Sequence, residues 1–260
     1  MQVLDQTGHT IRLKKKPVNI ISLVPSQTEL LYDLQLAERV KGITKFCVHP
    51  EHWQKEKNII GGTKNLNIRK ILDLEPDLII ANKEENRKKQ IEELKEFCPV
   101  YISDIRTIND ALEMISDIGR LTGTESIAEQ ICLDIEVKFT NFKPEDIKNN
   151  EKVVYLIWKS PLMVVGNDNF IHSLLEWAGW KNAFEDRERY PTISVEDLKK
   201  VNPDRVLLST EPYPFTDEDI SFFKEILPMS KVHLVDGERF SWYGSRMKQT
   251  PAYIHAIQTI

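Results

Sequence analysis

The chain has 260 residues, of which 41% are hydrophobic and 29% are charged, and its formal net charge is −5. This length and balance predict a globular protein of one large domain or two modest ones. The basic runs at 14–16 and 87–89 are too short to form a broad cationic surface, so we expect no nucleic-acid partner.

Targeting signals and cysteines bear on the cellular compartment. No stretch approaches the length of a membrane span, and residues 1–10 lack the apolar core of an export signal. The three cysteines, Cys47, Cys98 and Cys132, are scattered and odd in number, which does not make a disulfide framework and mildly favours a reducing compartment. Two interpretations stay open: a leader was removed for expression, or the protein remains in the cytoplasm.

Strand and helix patterns alternate through the first half of the chain. Residues 3–13 predict a hairpin around Gly8, Val18 to Val24 predicts a buried strand, and a helix begins at Pro25. Ser26 and Glu29 have the spacing of a capping box. Further strands are predicted at 41–44, 78–81 and 100–102, and further helices at 68–74, 85–97 and 108–121. This alternation predicts a mostly parallel sheet covered on both sides.

The stretch from Gly123 to Phe142 predicts one long helix. Gly123 can end the preceding helix, Thr124 can cap the new one, and apolar residues recur at 128, 131, 135, 139 and 142. As a straight helix it would span roughly 28 Å, about the width of a small domain.

After this helix the pattern of the first half returns. Strands are predicted at 153–157, 205–208 and 232–235, and helices at 171–178, 195–201, 217–227 and about 247–260. Leu74-x-Pro76-Asp77 before one apolar run matches Val201-x-Pro203-Asp204 before another. We therefore predict two related, Rossmann-like α/β lobes with mostly parallel sheets. The predicted boundaries are 1–122 for the first lobe, 123–144 for the linking helix and 145–260 for the second lobe.

Loops at the carboxyl ends of parallel strands are the expected ligand-binding region, and with two lobes the crevice between them is the default site. The candidate loops lie at 25–27, 45–52, 63–65, 158–160, 189–191 and 239–246. They carry Phe46, Trp158, Tyr190, Trp242 and Tyr243. Aromatic side chains on loops suit a large, flat and partly apolar ligand, although each ring could equally pack within its own lobe.

Metal and enzyme signatures are weak. Cys47, His49 and His52 supply zinc-type ligands, but no second cluster completes a four-ligand set, so we expect no metal centre and no resident cofactor. The chain lacks a Gly-x-Ser-x-Gly motif, a paired-His helix and a dinucleotide fingerprint. We therefore expect a binding protein rather than an enzyme, with Cys47 as the one plausible reactive group for the alternative.

Several motifs together resemble a known family. Asp5-x-x-Gly8-x-x-Ile11-x-Leu13 is followed by the run from Pro17 to Glu29, and further matches lie at 61–65, 74–79 and 166–171. These stretches are similar to the substrate-binding proteins of ABC importers for cobalamin and iron siderophores, and most similar to the cobalamin-binding branch. The resemblance implies two α/β lobes bridged by one rigid helix, with a metal chelate captured in the crevice by a monomeric protein.

The resemblance also suggests roles for individual residues. Phe46 lies where the cobalamin binder places an aromatic ring against the corrin, Tyr190 lies where it places a Trp, and Thr63 replaces another aromatic residue. The full set of expected ligand-binding residues is Ser26, Phe46, His49, Thr63, Lys64, Trp158, Tyr190, Trp242, Tyr243 and Arg246. Tyr190→Ala and Trp242→Ala are each expected to weaken ligand binding without unfolding the protein.

Docking on the importer is the point at which the chain departs from the family pattern. The family typically docks on its membrane partner through one acidic residue per lobe, each facing an Arg pocket. Glu196 fits this role in the second lobe, whereas the matching position in the first lobe is Arg69, followed by Lys70. An Arg pocket would repel a positive charge there, which leaves coupling to a permease and ATPase open.

Three functions therefore stay under consideration. The first is the substrate-binding component of an ABC importer, which the resemblance places in the periplasm or cell envelope. The second is a cytoplasmic carrier or sensor of the same ligands, which the missing leader favours. The third is an enzyme acting on a chelate through Cys47.

Overall fold

The computed structural model describes residues 1–142 and 151–260, and it divides into two compact units. Unit 1 comprises Met1–Ile105, Asn109–Val137 and Tyr243–Lys248. Unit 2 comprises Arg106–Ile108, the described part of Lys138–Trp242, and Gln249–Ile260. The predicted end of the linking helix at 144 and the predicted start of the second lobe at 145 lie outside the described residues.

Unit 1 is built on a parallel sheet, preceded by a two-stranded hairpin. The strands of this unit are β1 (Gln2–Leu4), β2 (Thr10–Arg12), β3 (Ile20–Ser22), β4 (Val40–Ile43), β5 (Asn58–Ile59), β6 (Gly61–Gly62), β7 (Asn65–Leu66), β8 (Leu78–Asn82) and β9 (Val100–Ser103). Five of them form the parallel sheet in the order β5-β4-β3-β8-β9. The predicted hairpin is confirmed as the antiparallel pair β1 and β2. Every residue of β3, β8 and β9 is buried, as expected for a sheet covered on both faces.

The helices of the first half are α1 (Pro25–Asp33), α2 (Trp53–Glu56), α3 (Ile68–Leu72), α4 (Lys88–Lys95) and α5 (Ile108–Thr122). The capping box predicted for Ser26 and Glu29 is wrong. Helix α1 begins two residues earlier than that motif requires, after Val24, and no side chain caps it. Pro25 occupies the first turn, where its missing N–H costs no helical bond. Glu29 instead binds Arg246, which is distant in sequence.

Helix α6 (Glu125–Asn141) confirms the long helix that the periodicity predicts. Gly123 ends α5 with a φ of +68°, a left-handed conformation that Gly adopts without a steric penalty. Four of the predicted apolar positions, Ala128, Ile131, Ile135 and Phe139, are buried, whereas the fifth, Phe142, follows the end of the helix and is half-buried. Burial of each Ile or Phe side chain stabilises a fold by roughly 1.5–3 kcal/mol, so packing rather than propensity holds the helix.

Unit 2 is built on a mixed sheet. Its strands are β10 (Lys152–Trp158), β11 (Leu162–Val164), β12 (Lys181–Asn182), β13 (Thr192–Ile193), β14 (Arg205–Ser209) and β15 (Lys231–Val235). The order is β13-β11-β10-β14-β15, with β12 also paired to β10. Strands β10, β12, β14 and β15 run parallel, whereas β11 and β13 pair antiparallel at one edge. The short strands β11, β12 and β13 are absent from the sequence-based prediction.

The later helices are α7 (Phe170–Trp177), α8 (Val195–Val201), α9 (Asp217–Ile226), α10 (Glu238–Ser241) and α11 (Thr250–Gln258), with a 3₁₀ helix at Ser245–Gln249 before α11. The prediction for α8 is correct to the residue. The predicted final helix instead begins as the 3₁₀ turn and becomes α-helical at Thr250. Within residues 1–142 and 151–260, no helix has both the length and the hydropathy required to cross a membrane.

The two Pro-Asp segments make equivalent contacts in their own units. The Asp77 carboxylate accepts bonds from the backbone N–H groups of Val18 and Asn19, just before β3. The Asp204 carboxylate accepts a bond from the backbone N–H of Lys152 at the start of β10. In each case the strand after the Pro-Asp pair runs parallel to the strand that the Asp holds. The two Pro-Asp motifs therefore make the same kind of contact in the two units.

Candidate functional site

The carboxyl ends of the unit 1 strands carry most of the expected ligand-binding residues of that unit. Ser26 lies in the first turn of α1 and is buried, whereas Phe46 follows β4 and is 50% exposed. The ammonium group of Lys45 lies 5.0 Å from the centre of the Phe46 ring. A Cβ atom on Gly62 would approach Cε2 of Phe46 to 3.0 Å, so this glycine allows the ring to pack close to the β6–β7 hairpin.

A network of buried polar side chains lies beneath these loops. Thr63 is buried, and its carbonyl accepts a bond from the Asn86 amide at 3.1 Å. The Asn86 side chain in turn accepts from the backbone N–H of Asn82 at the end of β8. Lys64 is exposed and donates to the backbone carbonyl of Glu84. The buried Asn86 side chain thus connects the loop that carries Thr63 and Lys64 to the end of β8.

The Cys47 thiol is buried rather than presented to a ligand. Its sulfur accepts a bond from Thr28 Oγ1 at 3.0 Å and lies 3.2 Å from Thr44 Oγ1. Burial raises the pKa of this thiol above its ordinary value. A buried thiol with a raised pKa is a poor nucleophile, so the structure argues against the alternative in which Cys47 is catalytic. His49 is half-buried, and across the described residues no three His, Cys, Asp or Glu side chains group as a metal site.

Tyr243 and Arg246 belong to unit 1 although they lie late in the sequence. Both are buried, and Gly244 between them has a φ of +112°. Arg246 binds Glu29 of α1 in a bidentate ion pair, with N···O distances of 2.7 and 2.8 Å. This pair fastens the late segment to α1, which gives Arg246 a structural role that its sequence context did not indicate.

In unit 2, Trp158 ends the central strand β10 and remains 38% exposed. Its indole N–H donates to the carbonyl of Ser160 at 3.0 Å, and its ring packs edge-on against Tyr213 at 5.5 Å between centroids. These two contacts hold the Trp158 ring in position at the carboxyl edge of the unit 2 sheet.

Tyr190 lies in a loop that two backbone bonds hold in place. The carbonyl of Arg189 accepts from Gly166 N at 2.8 Å, and the carbonyl of Pro191 accepts from Val164 N at 3.1 Å. A Cβ atom on Gly166 would lie only 2.1 Å from the Arg187 carbonyl oxygen, so the two segments approach this closely only with glycine there.

An ion-pair cluster supports the same loop. The Asp168 carboxylate binds Arg189 Nε at 3.2 Å and a terminal nitrogen of Arg106 at 2.9 Å. Both Asp168 and Arg189 have a φ of +57°, a left-handed conformation that is rare outside glycine and that tertiary contacts must maintain. Tertiary contacts therefore fix the backbone conformation of the loop that carries Tyr190.

Trp242 is only 7% exposed, and its indole N–H donates to Glu211 Oε1 at 2.9 Å. Replacing an aromatic side chain this buried with Ala typically costs about 3–5 kcal/mol of stability. Trp242→Ala is therefore a poor probe of binding alone, and Trp242→Phe is the better variant. The sequence-based prediction omitted Glu211. The expectation that ligand-binding loops follow the carboxyl ends of parallel strands also applies to the segment after β14, where Glu211 lies.

The expected docking positions are matched in the two units. Arg69 lies two residues after the helix cap Asn67, and Glu196 lies two residues after the helix cap Ser194. Each cap accepts a bond from the backbone N–H three residues later, at 3.0 Å. Arg69 and Glu196 are both exposed. The structure thus presents opposite charges at equivalent positions of α3 and α8.

A separate surface pocket of about 230 Å³ lies in unit 1. It is lined by side chains of the N-terminal hairpin and α4, among them Thr7, His9, Lys88, Glu92 and Lys95. None of the expected ligand-binding residues lines it. Lys95 and Glu92 pair with one another at 3.0 Å across its wall.

Comparison with known protein families identifies the chain's relatives. The model of the family described as "Periplasmic binding protein" matches residues 20–228. The chain belongs to this family.

Individual relatives agree with this assignment. An uncharacterised ABC transporter substrate-binding lipoprotein of Bacillus subtilis (strain 168) is 28% identical over 212 residues, which cover 78% of this chain and 67% of the relative. A vitamin B12-binding protein of Vibrio parahaemolyticus is 25% identical over 255 residues, which cover 95% and 90%. A crystal structure from Staphylococcus epidermidis, described as a possible iron-binding periplasmic solute-binding protein, has a TM-score of 0.79 at 25% identity, covering 93% and 98%.

Proposed function

We propose that this protein is the substrate-binding component of an ABC importer and that it captures a metal chelate. The candidate ligands are a corrinoid such as cobalamin, a ferric siderophore or haem. Membership of the periplasmic binding protein family supports this class of function, and the relatives named for vitamin B12 and iron support the ligand class. The Bacillus subtilis relative, described as an ABC transporter substrate-binding lipoprotein, supports a location in the cell envelope and a permease with its ATPase as partners.

The observation that carries the proposal is the exposure of large aromatic rings at the carboxyl ends of strands in both units. Phe46 follows β4, and Trp158 ends β10. Each ring is braced by a neighbour, Lys45 over Phe46 and Tyr213 against Trp158, yet each keeps a substantial exposed area. Exposed, pre-positioned rings lower the ordering cost of binding a flat, partly apolar ligand.

A ligand panel tests the proposal. The protein would be titrated in a calorimeter with cobalamin, haem, a ferric hydroxamate and a ferric catecholate. We expect saturable, one-to-one binding of at least one of these ligands. Failure to bind any of them, by a protein that unfolds cooperatively on heating, would contradict the proposed function.

Docking needs a separate test because ligand capture and coupling are distinct. Glu196 is exposed on α8 and is our candidate contact with a basic pocket of the permease. Glu196→Lys should leave ligand affinity unchanged and reduce ligand-dependent stimulation of the ATPase in a reconstituted importer. Glu225→Lys is the matched control for the same change of charge, because Glu225 is exposed on α9 of the same unit. Equal stimulation by both variants would exclude Glu196 from docking.

A further inference from the structure

Glu211 is a half-buried carboxylate that pairs with no cation among the described residues. It follows β14 at the carboxyl edge of the unit 2 sheet. Its charged neighbours, Asp236 and Glu238, carry the same sign, and Arg239 pairs with Asp236 instead. Burial, together with these acids, raises the pKa of Glu211. A charge in this environment costs stability, and the hydrogen bonds from Ser241 and Trp242 offset only part of that cost.

The surrounding backbone makes room for this side chain. A Cβ atom on Gly237 would lie 2.4 Å from Glu211 Cγ and 2.5 Å from Ser209 Oγ. The Ser209 hydroxyl donates to the Glu211 carbonyl at 2.5 Å and itself accepts a bond from the Tyr155 hydroxyl at 3.1 Å. A buried hydrogen-bond network therefore sets the position of Glu211. The side chain also needs a glycine at position 237, because any larger residue there would clash with it.

The carboxylate uses its two oxygens unequally. Ser241 Oγ donates to Oε1 at 2.6 Å, and Trp242 Nε1 donates to the same oxygen at 2.9 Å. Oε2 accepts no bond from the described residues, and it is not sealed from solvent. One oxygen thus orients the indole of Trp242 while the other remains as an acceptor beside it.

We propose that Glu211 is a ligand-recognition residue: Oε1 fixes the Trp242 indole, and Oε2 accepts a hydrogen bond from an N–H group on the periphery of the bound chelate. This inference rests on the proposed function and narrows its ligand class. An anionic acceptor with acidic neighbours favours a chelate with carboxamide or amine groups, as on a corrinoid. It disfavours a chelate whose periphery carries carboxylates, such as the propionates of haem.

Glu211→Gln separates recognition from folding. The glutamine carbonyl can still accept from Ser241 and Trp242, whereas the amide group replaces the Oε2 acceptor with a donor. The variant therefore loses a charge-assisted hydrogen bond to the ligand N–H group, which is stronger than a bond between neutral groups. We therefore expect cobalamin affinity to fall about tenfold, haem affinity to stay equal or rise, and the melting temperature to stay equal or rise.

Controls make the outcome decisive. Glu225→Gln removes one exposed carboxylate from the same unit and should change neither affinity. If wild-type protein binds cobalamin and Glu211→Gln binds it equally well, the inference is wrong. It is also wrong if the variant loses cobalamin and haem alike, or if wild-type protein binds haem or a siderophore but no corrinoid. The last of these outcomes would still support the proposed function, whereas binding of no chelate would overturn both.

Discussion

Phe46→Ala offers a quantitative test of ligand stacking in unit 1. A Phe side chain can bury about 200 Å², so a ring that is 50% exposed leaves about 100 Å² for a ligand to cover. If the ligand covers half of that area, the lost burial at about 25 cal/mol per Å² is about 1.2 kcal/mol. This corresponds to a weakening of the dissociation constant by about eightfold.

Calorimetric titration of the ligand found in the panel would measure this change, and thermal unfolding would monitor stability. The matched control is Phe97→Ala, because Phe97 is 61% exposed in the same unit but lies beyond α4, away from the candidate loops. We expect Phe97→Ala to leave the affinity unchanged. If Phe46→Ala binds as tightly as wild type, or if both variants weaken binding equally, the stacking role of Phe46 is refuted.

Three further predictions follow from buried contacts. Arg246→Met should lower the free energy of unfolding by about 3 kcal/mol, because it leaves Glu29 without its ion-pair partner. The double variant with Glu29→Leu should recover part of this loss, and denaturant titrations would measure both changes. Because its pKa is raised, Glu211 should destabilise the fold as pH rises through that pKa. The melting-temperature gain of Glu211→Gln should therefore be present at pH 8 and absent in acid, where the carboxyl is protonated in both states. Cys47→Ser should preserve ligand affinity, and a thiol reagent should label half-buried Cys132 before buried Cys47.

Local patterns in the sequence were sufficient for the longer helices and the central parallel strands of both units, but not for the short strands β11, β12 and β13. The apolar spacing of Gly123 to Phe142 predicted α6 because a helix needs only residues three and four apart to form its buried face. The matching Pro-Asp segments predicted similar halves. In each half the Asp binds the backbone at the start of one strand, and the strand that follows the motif pairs parallel with it. The proposed roles of Phe46, Trp158 and Tyr190 stay predictions, although the structure places all three near the carboxyl ends or edge strands of their sheets.

Contacts between residues distant in sequence were decided only by the tertiary structure. Glu29 has the spacing of a capping residue, but its carboxylate binds Arg246, 217 positions away. Trp242 lies in a loop by its sequence, but Glu211 and the surrounding packing bury it. Propensity and periodicity act over a few residues, whereas ion pairing and burial depend on which segments the completed fold brings together. The sequence by itself therefore determined the family and the order of the longer helices and central strands. The tertiary structure decided where the short edge strands pair and which polar side chains are bonded within the fold.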